Sequence, residues 1–162
     1  ENNVPLLGIC LWLQVSVIEF MRNVCGYKKA NSTEFDQACK EPVIAIMEHQ
    51  KAVTHKWWTM RLGEYPAKID VGTLAFNLYN SNMISERHRH RYEVNPSYHE
   101  VLEQYGMKIS WLSPDGFLAE FIELPTHPYF IATQAHPEFL SRVEKPHPLF
   151  AGLVEAVVKQ KI

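Results

Sequence analysis

Gly8-Ile9-Cys10-Leu11-Trp12 joins an apolar run, Val4-Pro5-Leu6-Leu7, to a segment whose apolar residues recur at helical spacing: Leu13, Val17, Phe20 or Met21, and Val24. So abrupt a passage from a buried strand into an amphipathic helix constrains the fold more than any other stretch of this chain. A cysteine at the junction sits on a sharp strand-to-helix turn, the geometry that lifts a nucleophile clear of its sheet. The helix beginning just after Cys10 presents its positive N-terminal end to the sulfur and favours thiolate over thiol. The competing reading is structural, because free cysteine is among the most buried residue types and is usually inert.

Composition narrows what that cysteine can be. The 162 residues, 46% of them hydrophobic, suffice for one domain with its own core. A formal net charge of -2 gives no electrostatic case for nucleic acid or for an anionic membrane. Three cysteines without a C-x-x-C pair fit neither a disulfide framework nor a cysteine zinc site, and they suit a reducing compartment. No apolar run approaches the ~20 residues of a membrane span, and no basic leader with a cleavage site is present. The expectation is a cytoplasmic protein with neither a nucleic-acid nor a membrane partner. Because an apparently central strand begins almost at residue 1, more chain is expected before Glu1, so that the domain is truncated at its N-terminus.

Along the chain, the first helix should end near Cys25-Gly26, with glycine in the left-handed position. Residues 30–36 read as a polar loop, Glu41 to Met47 as a strand, and His49 to Trp58 as a surface loop. Met60 to Ile69 reads as a strand, and Val71-Gly72-Thr73 turns into a short helix through Leu74, Leu78 and Tyr79. Pro96 opens a helix with Tyr98, Val101, Leu102 and Tyr105 on one stripe, closed by Gly106. Met107 to Leu112 and Leu118 to Leu124 flank the turn Ser113-Pro114-Asp115-Gly116. Tyr129 to Gln134 is a further strand, and a last helix runs from about Pro148 to Lys159. Strands and helices are mixed, without repeat or linker, so residues 1–162 read as one α/β domain.

A cysteine nucleophile needs a base and a group that orients the base. His136 and Glu138 follow an apolar strand, where open α/β sheets place their sites. In extended backbone they share a face, and Pro137 stiffens the loop between them. The structural alternative is a histidine and a glutamate that simply face solvent. The run Arg87-His88-Arg89-His90-Arg91, read as a strand, alternates arginines with histidines on opposite faces. Flanking Glu86 and Glu93 argue against a nucleic-acid patch. Two histidines without a third ligand make a weak metal site, so no metal is expected. One of the arginines suits a small carboxylate through its bidentate fork, and position alone does not say which.

Several motifs, taken together, resemble one family. They are Glu1-Asn2-Asn3-Val4-Pro5 with Leu7-Gly8-Ile9-Cys10-Leu11, Gln14, Asn31-Ser32-Thr33-Glu34-Phe35, Thr59-Met60-Arg61-Leu62-Gly63, Ile84 to Asn95, Ser113-Pro114-Asp115-Gly116, and Gln134 with His136-Pro137-Glu138-Phe139. The chain resembles the class I glutamine amidotransferases, and among them the glutaminase domain of the CTP synthases. The resemblance implies a central, mostly parallel sheet flanked by helices, with an accessory antiparallel hairpin. It implies that Cys10 attacks the side-chain amide of L-glutamine and forms a thioester, with His136 moving the proton and Glu138 orienting it. The Leu11 amide would be an oxyanion donor, and Gln14, Glu34 and Arg91 would hold the substrate. The glutaminase domain itself needs no cofactor. The family's full-length, homo-oligomeric enzyme uses ATP and Mg2+ in a synthetase domain, the partner that receives the ammonia.

The chain departs from the family pattern in places. The family's second oxyanion donor lies in a glycine-rich segment upstream of the elbow. Trp12, Trp57, Trp58 and Trp111 stand where the family has glycine, and Ala135 stands where it usually has an aromatic residue. An indole at position 12 must point outward or distort the turn, so Trp12→Gly is expected to raise both stability and activity. Two alternatives are a non-catalytic amidotransferase-fold module and another class I cysteine amide hydrolase such as a γ-glutamyl hydrolase. The Asn31 to Phe35 and Ser85 to Asn95 matches argue against the hydrolase.

Overall fold

The structure, a computed structural model, describes residues 2–46 and 60–160. In chain order its elements are β1 (Leu6–Ile9), α1 (Leu11–Asn23), β2 (Ala30–Ser32), β3 (Glu41–Ala45), β4 (Arg61–Ile69), α2 (Leu74–Tyr79), β5 (Met83–His90), β6 (Glu93–Val94), α3 (His99–Gln104), β7 (Lys108–Leu112), β8 (Ala119–Glu123), β9 (Phe130–Thr133) and α4 (Pro148–Gln160). A six-stranded sheet runs β1-β9-β8-β7-β4-β5, and a smaller sheet runs β2-β3-β6.

Strand alternation splits the interior in two. Along β9, Ala132 faces one core and Ile131 the other; along β8, Ile122 and Phe121 divide in the same way. On the first side α1 lays down Leu13, Val17 and Met21, successive residues of one helical stripe. On the second, Ala75 of α2 and Leu149 of α4 cover Trp111, Phe121 and Ile131. Helices therefore cover both faces, as the α/β reading requires.

The parallel character is narrower than the resemblance implies. β1 pairs in parallel with β9, and β2 with β3, while the other described pairings are antiparallel. The parallel pairs are those packed against α1, which leads from β1 in the larger sheet to β2 in the smaller one. The long ribbon β4–β5 and the tight hairpin β7–β8 supply the antiparallel part. The Ser113 to Gly116 turn closes that hairpin as expected, with Leu118 N donating to Ser113 Oγ at 2.8 Å and Gly116 at φ 75°.

Other differences are local. The expected loop over 30–36 contains β2, whose Ala30 and Ser32 are buried; three residues of mixed polarity carry no alternation to read. The expected helix from Pro96 begins as a 3-10 turn, Pro96–Tyr98, capped by Asn95, and becomes α-helical only at His99. The expected surface loop from His49 to Trp58, with Trp57 and Trp58, lies outside the described residues. Of the two described tryptophans, Trp111 stacks on Phe121 at 4.4 Å inside the second core. Trp12 points outward, 66% exposed, and leaves the turn intact. The close approach that needs glycine falls at Gly8 instead, where an added Cβ would stand 2.7 Å from the Ala132 methyl. Among the described residues no helix is long and apolar enough to cross a membrane.

Candidate active site

Cys10 occupies the turn between β1 and α1 at φ 52° and ψ -104°, a strained conformation for a non-glycine residue. Its backbone is held on both sides. Cys10 N donates to Thr133 O at 2.7 Å, continuing the β1–β9 ladder, and Leu13 N donates to Cys10 O at 3.1 Å, starting the helix. The sulfur stands 3.8 Å from Gln134 Nε2 and 4.0 Å from Arg89 O.

The thiolate expected from the helix N-terminus is not the resting state. Burial dominates and pushes the Cys10 thiol up to about 11, with the Glu138 and Glu93 carboxylates pushing the same way. The Leu11 N–H and the Gln134 amide pull it down without overcoming the burial. The helix end therefore acts in the expected direction and loses to desolvation.

His136 and Glu138 do meet. His136 Nδ1 and Glu138 Oε1 lie 2.6 Å apart, although Pro137–Phe139 forms a 3-10 turn rather than the extended segment expected. The imidazole stacks on Phe139 at 5.2 Å. His136 N donates to Arg87 O at 2.8 Å, tying this loop to β5. His136 Nε2 is buried and has no hydrogen-bond partner among the described residues.

A cleft of about 270 Å3 opens beside the sulfur. Its walls contain Cys10, Leu11, Gln14, Glu34 and Arg91, which the sequence nominated, and also Met60, Arg89, His90 and Tyr92, which it did not. His136 and Glu138 are not among the residues lining this cleft. Gln14 is buried, with Nε2 donating to Tyr92 O at 2.8 Å and to Gln134 Oε1 at 3.2 Å, while its Oε1 has no partner among the described residues. Glu34 projects from the turn after β2, whose backbone is fixed by Glu34 N donating to Ser32 Oγ at 3.1 Å. Arg91 follows β5.

The strand reading of the arginine–histidine run holds over β5: Arg87 and Arg89 are exposed, and His88 and His90 are buried. The histidines face carboxylates. His90 Nε2 meets Glu93 Oε1 at 2.7 Å, and His88 Nδ1 lies 3.6 Å from Glu120. Burial and the Arg61 charge press His88 down to about 2, so it stays neutral. Arg61 lies between Glu120, at 2.7 Å, and Glu93, at 3.4 Å. Sequence reading passed over this cluster because its members come from four separate strands. Among the described residues no group of three or more His, Cys, Asp or Glu side chains could hold a metal ion.

Residues 1–156 match the family described as glutamine amidotransferase class-I, and the chain belongs to the class I glutamine amidotransferases. Within that class it is similar to CTP synthases. It is 60% identical over 162 residues to that of Methanocaldococcus jannaschii, covering all of this chain and 30% of the relative. With the Chlorobium phaeobacteroides enzyme it shares 56% identity over 156 residues, 96% of this chain and 28% of the relative. A solved Trypanosoma brucei CTPS glutaminase domain with bound acivicin superposes with a TM-score of 0.90 at 37% identity, covering 98% of this chain and 61% of that one. The chain thus spans about 30% of the length of the CTP synthases it matches.

Proposed function

We propose that this chain is the glutaminase part of a CTP synthase, hydrolysing L-glutamine and releasing ammonia for the ATP-dependent amination of UTP in a synthetase part. The observation that carries the reading is the cleft itself, where a strained strand-to-helix turn sets a thiol, the first N–H of a helix, a carboxylate and an arginine around one space. Glu34 is suited to the α-ammonium of glutamine and Arg91 to its α-carboxylate. The side-chain amide then lies toward Cys10.

His136 takes the Cys10 proton as the sulfur attacks the amide carbon. The oxyanion that forms accepts from Leu11 N–H, preorganised at the start of α1. Collapse expels ammonia, which leaves with the proton held on His136. Water, deprotonated by His136, then cleaves the thioester to glutamate and returns the thiol. Glu138 keeps the imidazole oriented through Nδ1 and stabilises it when charged. Because the thiol is protonated at rest, proton removal accompanies attack rather than preceding it. ATP and Mg2+ belong to the synthetase chemistry, and no step here passes through them.

Labelling tests this reading. A chloroketone analogue of glutamine should modify Cys10 in preference to Cys25 and Cys39, and glutamine should protect Cys10. In Arg91→Ala, protection should need about tenfold or more glutamine, as expected when a charged hydrogen bond worth about 1.5–3 kcal/mol is lost. Equal labelling of all three cysteines, or no protection, would sink the assignment.

A further inference from the structure

Gln134 has no role in the chemistry so far, yet its amide touches the reacting atom. We infer that Gln134 is a catalytic residue of this site, the last member of a polarised chain of amides, Tyr92 C=O to Gln14 to Gln134, that directs an N–H donor at the Cys10 sulfur. The inference rests on the reading of Cys10 as the nucleophile.

The polarity follows from one group that has no choice. A backbone carbonyl only accepts, so Tyr92 O at 2.8 Å requires the nitrogen of the Gln14 amide to face it. That nitrogen also lies 3.2 Å from the Gln134 side chain, which must therefore turn its oxygen toward Gln14. The Gln134 nitrogen is then left on the far side, 3.8 Å from Sγ. Flipping either amide would set oxygen against oxygen or N–H against N–H. Gln134 is fully buried, and its backbone N donates to Glu120 O at 2.9 Å, so the side chain is placed from both ends. The same chain uses both Gln14 donors, on Tyr92 and on Gln134, and leaves the Gln14 oxygen as an open acceptor in a residue that lines the cleft.

An N–H aimed at sulfur favours the thiolate over the thiol. Around Cys10 the charged and titratable groups are His136 and Glu138 after β9, Glu93 of β6, Arg89 and His90 of β5, Arg91 after it, and Glu34 after β2. Glu138 and Glu93 oppose the thiolate, and the Gln134 donor counters them next to the sulfur itself.

Chloroacetamide, which alkylates thiolates, reads the effect without requiring turnover. Gln134→Met keeps the length of the side chain and removes the donor. Gln134→Asn keeps the amide and draws it back by one methylene. Rates at Cys10, Cys25 and Cys39 would be measured by peptide mass spectrometry on the whole chain across neutral to mildly alkaline pH. Loss of the donor should raise the Cys10 pKa by about one unit; tenfold less thiolate, offset by a Brønsted slope of about 0.4–0.5, predicts alkylation about three- to fourfold slower. Cys25 should keep its rate. Unchanged Cys10 rates in folded variants overturn the inference. Loss of the fold in both variants overturns it too, because Gln134 would then be a structural residue. Failure of the chloroketone to prefer Cys10 in the unmodified chain would instead remove the glutaminase reading, and the chloroacetamide ratio would still report on the contact.

Discussion

Arg61→Met would expose how this protein keeps two carboxylates beneath its cleft. Glu93 and Glu120 are almost wholly removed from solvent, and Arg61 is the guanidinium between them, at 3.4 and 2.7 Å. The guanidinium also lies 4.6 Å from the centre of the Tyr65 ring, which fixes its plane. His88, pressed down to about 2, adds no positive charge. Methionine matches much of the arginine stem and removes the guanidinium from both carboxylates, leaving Glu93 with only His90 at 2.7 Å and Glu120 with only the neutral His88 at 3.6 Å. Removing one partner of a buried ion pair typically costs about 3–5 kcal/mol, which at a urea slope near 2 kcal/mol/M lowers the unfolding midpoint by about 1.5–2.5 M. The pH dependence is the sharper check. Burial raises the Glu120 pKa in the folded state and Arg61 holds it down. A carboxyl whose folded pKa is raised favours the fold below its unfolded pKa and loses that contribution as pH rises through the folded value. Without Arg61 the folded pKa climbs further, so the deficit of the variant should be greatest near pH 8 and shrink toward pH 5. Urea titrations followed by tryptophan fluorescence at both pH values would measure it, with Arg61→Lys expected to fall between. A deficit below about 1 kcal/mol, or one that grows on acidification, would refute the claim that Arg61 neutralises this cluster.

Two further substitutions separate Gly8 from Trp12. Gly8→Ala forces a methyl toward Ala132 and the first turn of α1, so it should cost about 1–3 kcal/mol and slow labelling of Cys10; an unchanged Tm would show that β1 can shift freely. Trp12→Gly, contrary to the expectation from sequence, should lower stability by up to about 1 kcal/mol and leave chloroacetamide rates at Cys10 within about twofold, because the exposed indole strains nothing and glycine is a poorer helix former. A higher melting temperature in Trp12→Gly would show that the indole distorts the elbow after all.

What could be read from sequence was local. The apolar run before Gly8 and the stripe from Leu13 to Met21 carry their own periods, and the Ser113 to Gly116 turn carries its own hydrogen bonds. Cys10 is nominated by its place at the strand-to-helix turn, Leu11, Gln14, Glu34 and Arg91 by resemblance, and the five line one cleft. The rest depended on distant partners. β2 exists because β3 lies beside it, not because its three residues alternate. Glu93 looked like a charge flanking a basic run, since nothing near it in sequence announces Arg61 or its own burial. The state of the Cys10 thiol was misjudged for the same reason: the helix end is visible in sequence, and the desolvation that outweighs it is not.

The arginine–histidine run shows how a misleading motif can still organise the site. β5 is the outermost strand of the six-stranded sheet, so half of its carbonyls are used by β4 and half face away. Successive residues of a strand point their carbonyls to opposite edges, which sends those of Arg87 and Arg89 the same way. Arg87 O receives the His136 amide and Arg89 O lies against the Cys10 sulfur. Just beyond the strand, Tyr92 O anchors Gln14. Parallel pairing of Ile9 with Thr133 brings the elbow and the histidine loop together, and the contacts to Arg89 O and Arg87 O seat both against β5. The basic side chains of Arg87 and Arg89 thus face solvent while the main chain beneath them sets the positions of Cys10, Gln14 and His136. Substituting Arg87 or Arg89 would leave these three contacts standing, whereas a proline at position 88 would take away the N–H that the ladder with Gly63 requires and move all three together.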